Sequence, residues 1–313
     1  MITIHKSDLE GGTNQIDEIE PGSWVMLTDP TPRELARIQA ATGIPAEDMK
    51  SYLDVEEISR VETEEDRTTI IVDIPSFSAV EGRRSYYTVP LTIIMTADHI
   101  ITLCVEAGPL ERMLAAGRSE LVTYKKTRMV LQLLYRSTVV YLRYLTDINA
   151  LRAALDDDFS VRPRRENLVE LFELDKSLIY LKTSIRSNEI VLERLLKSRH
   201  IKKYDEDSEL LEDLIIENNQ AMEMTVIYSE ILDSTLRKMR QVMDHDLSAT
   251  MKLLAAITVV IAVPTVYSGL FGMNVFEDSI PFANTPHGFW WAALVALLFT
   301  LVALYVARKK DWL

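Results

Sequence analysis

The chain has 313 residues, 34 Lys and Arg against 47 Asp and Glu for a formal charge of −13, and a single cysteine. One thiol excludes an internal disulfide framework and a thiolate zinc cage, and the acid excess argues against a nucleic-acid partner, because phosphate contacts need a local surplus of Lys and Arg. The mean hydropathy of +0.03 is that of an ordinary soluble protein, but it averages over two unlike parts.

Segments 24–28, 68–74, 86–95 and 99–105 are rich in β-branched and aromatic residues and read as strands. Between the first two, Thr31 and Glu34 make a T-x-x-E capping box with Pro32 at the first helical position, so a helix is expected from there to about Ala41. Residues 1–118 therefore read as an α/β domain, followed by a helical cytoplasmic domain over 119–207. From Arg164 to Val263 there is neither Gly nor Pro, where the chain-wide frequency would give about seven, so this stretch should be almost all helix. Leu168, Leu171, Leu174, Leu178, Leu181 and Ile185 recur at helical spacing, and a break is expected near 203–208.

The next helix is expected to run over 208–271, a stalk continuing into a first apolar span, and at about 1.5 Å per residue it would be ~95 Å long. A helix of that length should outrun the surface of one small domain and pack against copies of itself. Leu211, Ile215, Asn218, Met222, Thr225, Ser229, Leu232, Leu236, Met239 and Met243 alternate by fours and threes as a heptad seam diluted by polar residues. Two readings of the seam stay open, a stalk and the wall of a hydrated channel.

Residues 253–271 and 289–307 are uncharged apolar runs, each long enough to cross the ~30 Å hydrocarbon core of a bilayer. From Leu253 onward Arg308, Lys309 and Lys310 balance Glu277, Asp278 and Asp311, so the whole −13 belongs to residues 1–252. Arg237, Lys238, Arg240 and Lys252 precede the first span and Arg308, Lys309 and Lys310 follow the second, while the loop over 272–288 has no Lys or Arg. The positive-inside rule then places both termini in the cytoplasm, the tail 308–313 included, and the loop outside a multi-pass cell membrane. No apolar run near the N-terminus suggests a cleaved signal peptide.

The first span closes on Gly269-Leu270-Phe271-Gly272-Met273-Asn274, with Glu277 and Asp278 just beyond, and the chain ends on Lys309-Lys310-Asp311-Trp312-Leu313. A GMN tripeptide ending the first of two C-terminal spans, with Met251-Lys252, Thr265 and Gly269 in register and Leu53-Asp54-Val55-Glu56-Glu57 upstream, resembles the CorA family of divalent-cation channels over the whole chain. The resemblance implies a homopentameric funnel in a lipid bilayer, with first spans lining the pore and second spans facing lipid. It also implies a selectivity filter of Gly272, Met273 and Asn274 and a pore wall that includes Thr265, Leu254, Met251 and Ser248. A ring of neutral amides suits Mg²⁺, which parts reluctantly with its water shell and can be hydrogen-bonded through it. Gly269 and Gly272 as close-packing residues and Asn274 as a helix cap remain compatible readings.

Two positions depart from the family pattern. Ser248 stands where many relatives have Asn, and Arg237 where well-known members carry an acidic residue that helps bind regulatory Mg²⁺; a guanidinium cannot ligate a cation. Asp213 fits another acidic regulatory position, whereas the acidic runs near Asp54, Glu62 and Asp205 read as solvated surface. The expected function is Mg²⁺ influx, with Co²⁺ or Ni²⁺ as further cargo. A zinc transporter resembling ZntB and a poorly conducting membrane-tethered sensor are the alternatives. No nucleophile-base spacing among the scattered histidines supports an enzyme.

Overall fold

The protein is described here by a computed structural model, which covers residues 1–8, 12–80, 83–114, 121–161, 164–198, 204–273, 281, 286–310 and 312. It divides into two compact units, Met1–Leu236 and Arg237–Leu313.

The first unit is built on a seven-stranded sheet among the described residues: β1 (Ile2–Ser7), β2 (Thr13–Ile16), β3 (Trp24–Thr28), β4 (Arg60–Thr63), β5 (Arg67–Val80), β6 (Arg83–Thr96) and β7 (Ile100–Cys104). The spatial order is β2-β1-β3-β7-β6-β5-β4, antiparallel throughout except for the central β3–β7 pair. Every residue of β3, Trp-Val-Met-Leu-Thr, is buried. Alternation explains why: Trp24 and Met26 point into one apolar cluster, Val25 and Leu27 into another on the opposite face.

Helices α1 (Pro32–Thr42) and α2 (Ala46–Ser51) cover the second face, with Leu35, Ile38 and Met49 in its core. The first face is covered by α3 (Pro109–Leu114), α4 (Lys126–Val161), α5 (Arg165–Lys197) and the start of α6 (Asp205–Phe271). The expected capping box is present: the Glu34 amide donates to Thr31 Oγ1, and Glu34 Oε2 accepts from the Thr31 amide at 2.7 Å. The backbone bond from Thr31 does most to hold the Glu34 carboxyl below its usual range. Cys104 lies fully buried in β7, and burial pushes its thiol up to about 11. Strands β1, β2 and β4 add to the four expected segments, and β5 and β6 pair as two strands of 14 residues each, longer than their apolar cores suggested.

Asn188 on α5 substitutes for a strand at the edge of the sheet. Strand β4 ends its pairing at Arg60 opposite Ile71, and two residues further along β5 the Asn188 side chain takes over. Its Oδ1 accepts from the Asp73 amide at 2.9 Å and its Nδ2 donates to the Asp73 carbonyl at 2.8 Å, with Tyr141 Oη of α4 adding a third bond at 3.0 Å. Opposite Asp73 stands Pro90, tolerated because the polar backbone groups of Asp73 face the other edge. The Asp73 carboxyl is caught in this junction and burial raises its pKa, against a smaller opposing bond from Ser184.

The break between the long helices, expected near 203–208, falls earlier, between Lys197 and Asp205, with residues 199–203 outside the described set. Helix α6 then runs unbroken for 67 residues. The seam is corrected in one respect: Leu211, Asn218, Thr225, Leu232 and Leu236 are buried inside the single chain instead of facing another copy or a channel. Leu211 and Leu214 pack with Val191, Leu192 and Leu195 of α5, and Asn218 Nδ2 donates to the Ile185 carbonyl at 3.4 Å. The polar seam residues are thus satisfied locally, Thr225 by the Met222 carbonyl.

Candidate functional site: the membrane helices

The second unit holds the rest of α6 and α7 (Gly288–Lys309), both long and apolar enough to cross a membrane. Only 6% of the apolar window of α6 and none of that of α7 is buried, the reverse of a soluble core helix. The two helices meet through small and aromatic residues. Among the described residues of the two apolar spans Ala256 and Ala307 are the buried positions, and the Tyr267 ring lies 6.0 Å from Phe299 and 4.8 Å from Phe271.

On the opposite side of α6 from Ala256 and Tyr267 stand Leu247, Met251, Leu254, Thr258, Ala262, Thr265 and Gly269, spaced by fours and threes and all exposed. Met251 and Leu254 are 64% and 65% exposed, so α7 of the same chain covers neither. Ser248 is exposed at the edge of this row. Three of the four residues expected on a pore wall, Met251, Leu254 and Thr265, thus share one side of the helix, with Ser248 at its edge. Leu247, Thr258 and Ala262 belong to the same row, and their offsets of four, seven and eleven residues from Met251 are the helical spacing that places them there.

Helix α6 passes through Pro264 without interruption. Proline supplies no amide hydrogen, so the Val260 carbonyl loses its helical donor. One residue on, Thr265 Oγ1 donates to the Ile261 carbonyl at 2.7 Å, leaving its lone pairs outward, and Thr258 does the same to Leu254 at 2.8 Å. At the far end the Gly272 amide bonds the Ser268 carbonyl at 3.1 Å and the Met273 amide the Leu270 carbonyl at 3.4 Å. A Cβ built on Gly269 would meet nothing within 4 Å, and one on Gly272 would make only ordinary contacts at 3.6 Å, so neither glycine serves close packing within one chain. Asn274, Glu277 and Asp278 lie outside the described residues.

At the other end of α7, Arg308 and Lys309 occupy the last turn, where cations complement the helix dipole. Lys310 Nζ sits 5.7 Å from the centre of the Trp312 ring, whose amide donates to the Ala307 carbonyl at 3.0 Å. Asp213 is exposed on α6 in the first unit. Among the described residues no group of three or more His, Cys, Asp or Glu comes together that could hold a metal.

A family model, CorA-like Mg²⁺ transporter protein, matches residues 21–309, nearly the whole chain. This chain belongs to the CorA family. Its curated relatives include the cobalt/magnesium transport protein CorA of Methanocaldococcus jannaschii, 29% identical over 301 residues that cover 93% of this chain and 91% of the relative. The complete structure of the CorA magnesium transporter from that organism superposes with a TM-score of 0.82 at 25% identity, covering 100% of this chain and 99% of the other. The ZntB cytoplasmic domain from Vibrio parahaemolyticus has a TM-score of 0.52 at 12% identity over 79% of this chain and 97% of its own, a likeness of fold alone. The soluble α/β domain, the long helix and the two C-terminal apolar helices of this chain are those of a CorA membrane protein.

Proposed function

We propose that this CorA chain forms a homopentameric channel in the cell membrane that admits Mg²⁺, with Co²⁺ and Ni²⁺ as further cargo, down the membrane potential. The observation that carries the reading is the exposed row from Leu247 to Gly269, on the side of the first span that α7 leaves open. In a ring of copies this side faces a central pore, with Met251 and Leu254 as a hydrophobic constriction that gates by dewetting and Thr265 and Ser248 offering hydroxyls to a hydrated ion. Gly272, Met273 and Asn274 form the filter at the outer mouth, ahead of Glu277 and Asp278. Gly269 and Gly272, which meet no close neighbour in one chain, let copies approach there.

In this reading residues 1–207 are cytoplasmic, 208–271 stalk and first span, 272–288 the outer loop and 289–307 the lipid-facing second span. Both termini are cytoplasmic, with 308–313 as a basic tail. An inside-negative potential drives a divalent ion with about 4.6 kcal/mol per 100 mV, twice the value for a single charge, so no catalytic site is required. Asp213 is the candidate regulatory ligand, and Arg237 predicts that cytoplasmic Mg²⁺ inhibits less than it would with an acid there. The cobalt/magnesium transporter matched over 93% of the chain at 29% identity, against 12% for the ZntB cytoplasmic domain, favours the Mg²⁺ reading over Zn²⁺.

The test is Mg²⁺ uptake into proteoliposomes containing an internal Mg²⁺ dye under an imposed inside-negative potential. Uptake is expected from the native protein and its loss from Asn274→Ala, with the oligomer intact by native mass spectrometry. Unchanged uptake in the variant removes Asn274 from the filter; no uptake by the native protein removes the channel.

A further inference from the structure

Two helix faces of the first unit are apolar, exposed and oppositely charged. On α5, Val169, Ile179 and Ile190 are exposed, and the exposed charged residues from there to its end are Lys176, Arg186, Glu193, Arg194 and Lys197. That is four cations and one anion, and the anion is already tied to Lys197 at 3.6 Å. On α6, Ile216, Ile227 and Ile231 are exposed, flanked by exposed Glu209, Glu212, Asp213, Glu223, Glu230 and Asp233. From Asp205 to Leu236 there is no Lys or Arg at all.

Each face has two isoleucines eleven residues apart, 179 with 190 and 216 with 227, which is about three turns and keeps each pair in line. The opposite sides of both helices are spent on the core, through Leu171, Leu178 and Ile185 of α5 and Leu211, Leu214 and Leu232 of α6. Rows of exposed isoleucine along two helices mark an interaction surface. Charge decides what covers them. Acidic face on acidic face would set six carboxylates against six, and basic on basic is equally repulsive, so neither face can be self-complementary. The two are complementary to each other. Contact between different faces of identical chains is heterologous, the kind that closes into a ring by repeated rotation.

We propose that the α5 face centred on Ile179 and Ile190 docks onto the α6 face centred on Ile216 and Ile227 of a second copy of this chain. The proposal rests on the ring of identical subunits inferred above and names the soluble surface that builds it. A metal ion or lipid is a poor match for either face, since the isoleucines occupy the middle and the charges only flank them.

The experiment uses the full-length protein in mild detergent, where buried Cys104 leaves engineered thiols as the reactive ones. Ile179→Cys and Ile227→Cys are made separately, then co-expressed and treated with a short bismaleimide. Cross-linked pairs are expected from the co-expressed variants and not from either alone. Lys176→Glu with Arg186→Glu should lower the yield roughly tenfold, and adding Glu223→Lys with Glu230→Lys in the same chain should restore it. Native mass spectrometry of the unmodified protein separates the two readings. Five copies with no α5–α6 cross-link, or with cross-links from Ile227→Cys alone, overturn this surface and keep the ring; a monomer overturns both.

Discussion

The two units place their apolar residues by opposite rules. In Met1–Leu236 the large side chains go inside: Trp24, Ile70, Leu91 and Tyr141 are at most 1% exposed, between a sheet and helices of the same chain. In Arg237–Leu313 most go outside, with Ile261, Val266, Leu298 and Tyr305 exposed, and among the described residues of the two apolar spans only alanines are buried. One explanation covers both. Apolar surface is removed from water by whatever lies next to it: in the first unit the chain itself for all but the exposed rows of α5 and α6, and in the second lipid or other copies. Exposure of a leucine in one chain therefore means different things on the two sides of residue 236, and substitutions should separate them.

The largest effect is expected at Trp24→Ala, which empties a fully buried site and strands the Thr102 hydroxyl that its Nε1 bonds at 3.0 Å. A loss of about 3–5 kcal/mol is expected in urea denaturation of the full-length protein. Less than 1 kcal/mol would mean that the unit does not depend on this side chain. Next comes Leu254→Ala, a truncation of similar chemistry at a residue 65% exposed. Its unfolding should stay within about 0.5 kcal/mol of the native protein, while basal Mg²⁺ flux rises several-fold because the constriction wets more easily. A large fall in stability without a change in flux would place Leu254 in a core.

A smaller effect belongs to the cap. Thr31→Ala removes the hydroxyl that accepts from the Glu34 amide and should cost about 1 kcal/mol, with no effect on flux. The smallest is a change of slope with pH. Burial raises the Asp73 pKa, so the folded state holds a proton that the unfolded chain has released. That contribution is complete below the unfolded carboxyl pKa of about 3.9 and is lost as pH rises through the folded value. Asp73→Asn keeps the backbone junction with Asn188 and cannot ionise. Its melting temperature relative to the native protein should therefore climb from pH 4 to pH 7, and a constant difference would show that the Asp73 carboxyl is well solvated.

Legibility in the sequence tracks how much of an element's environment is supplied by its own residues. Strand β3 was readable because both its faces are apolar, and α1 because its cap is local. Strand β2, with the sequence Thr-Asn-Gln-Ile, lies at an edge with its two middle residues exposed, and β4 at the other edge is only half-buried, so neither carries a strong pattern. The seam of α6 was visible as a period, but a period does not name the partner: Asn218 and Thr225 suggested water, and the structure answers them with α5 and with the backbone of α6 itself. On the first span the row from Leu247 to Gly269, the proposed pore wall, is a matter of helical spacing. The outer motif was recognisable only through family resemblance, since the filter role proposed for Asn274 would depend on copies that a single sequence does not display.

Cys104 gives the soluble unit an intrinsic clock. The thiol belongs to the central strand β7, fully buried beside the parallel pairing with β3, and its raised pKa leaves almost no thiolate at neutral pH. A thiol reagent can reach it only when the sheet opens at its centre, so labelling of the unmodified protein is timed by the opening events of that strand and not by fraying at the edges. With one cysteine in 313 residues the signal has a single source, and a cation that tightens the unit would be read as a slower rate of modification without any spectroscopic tag.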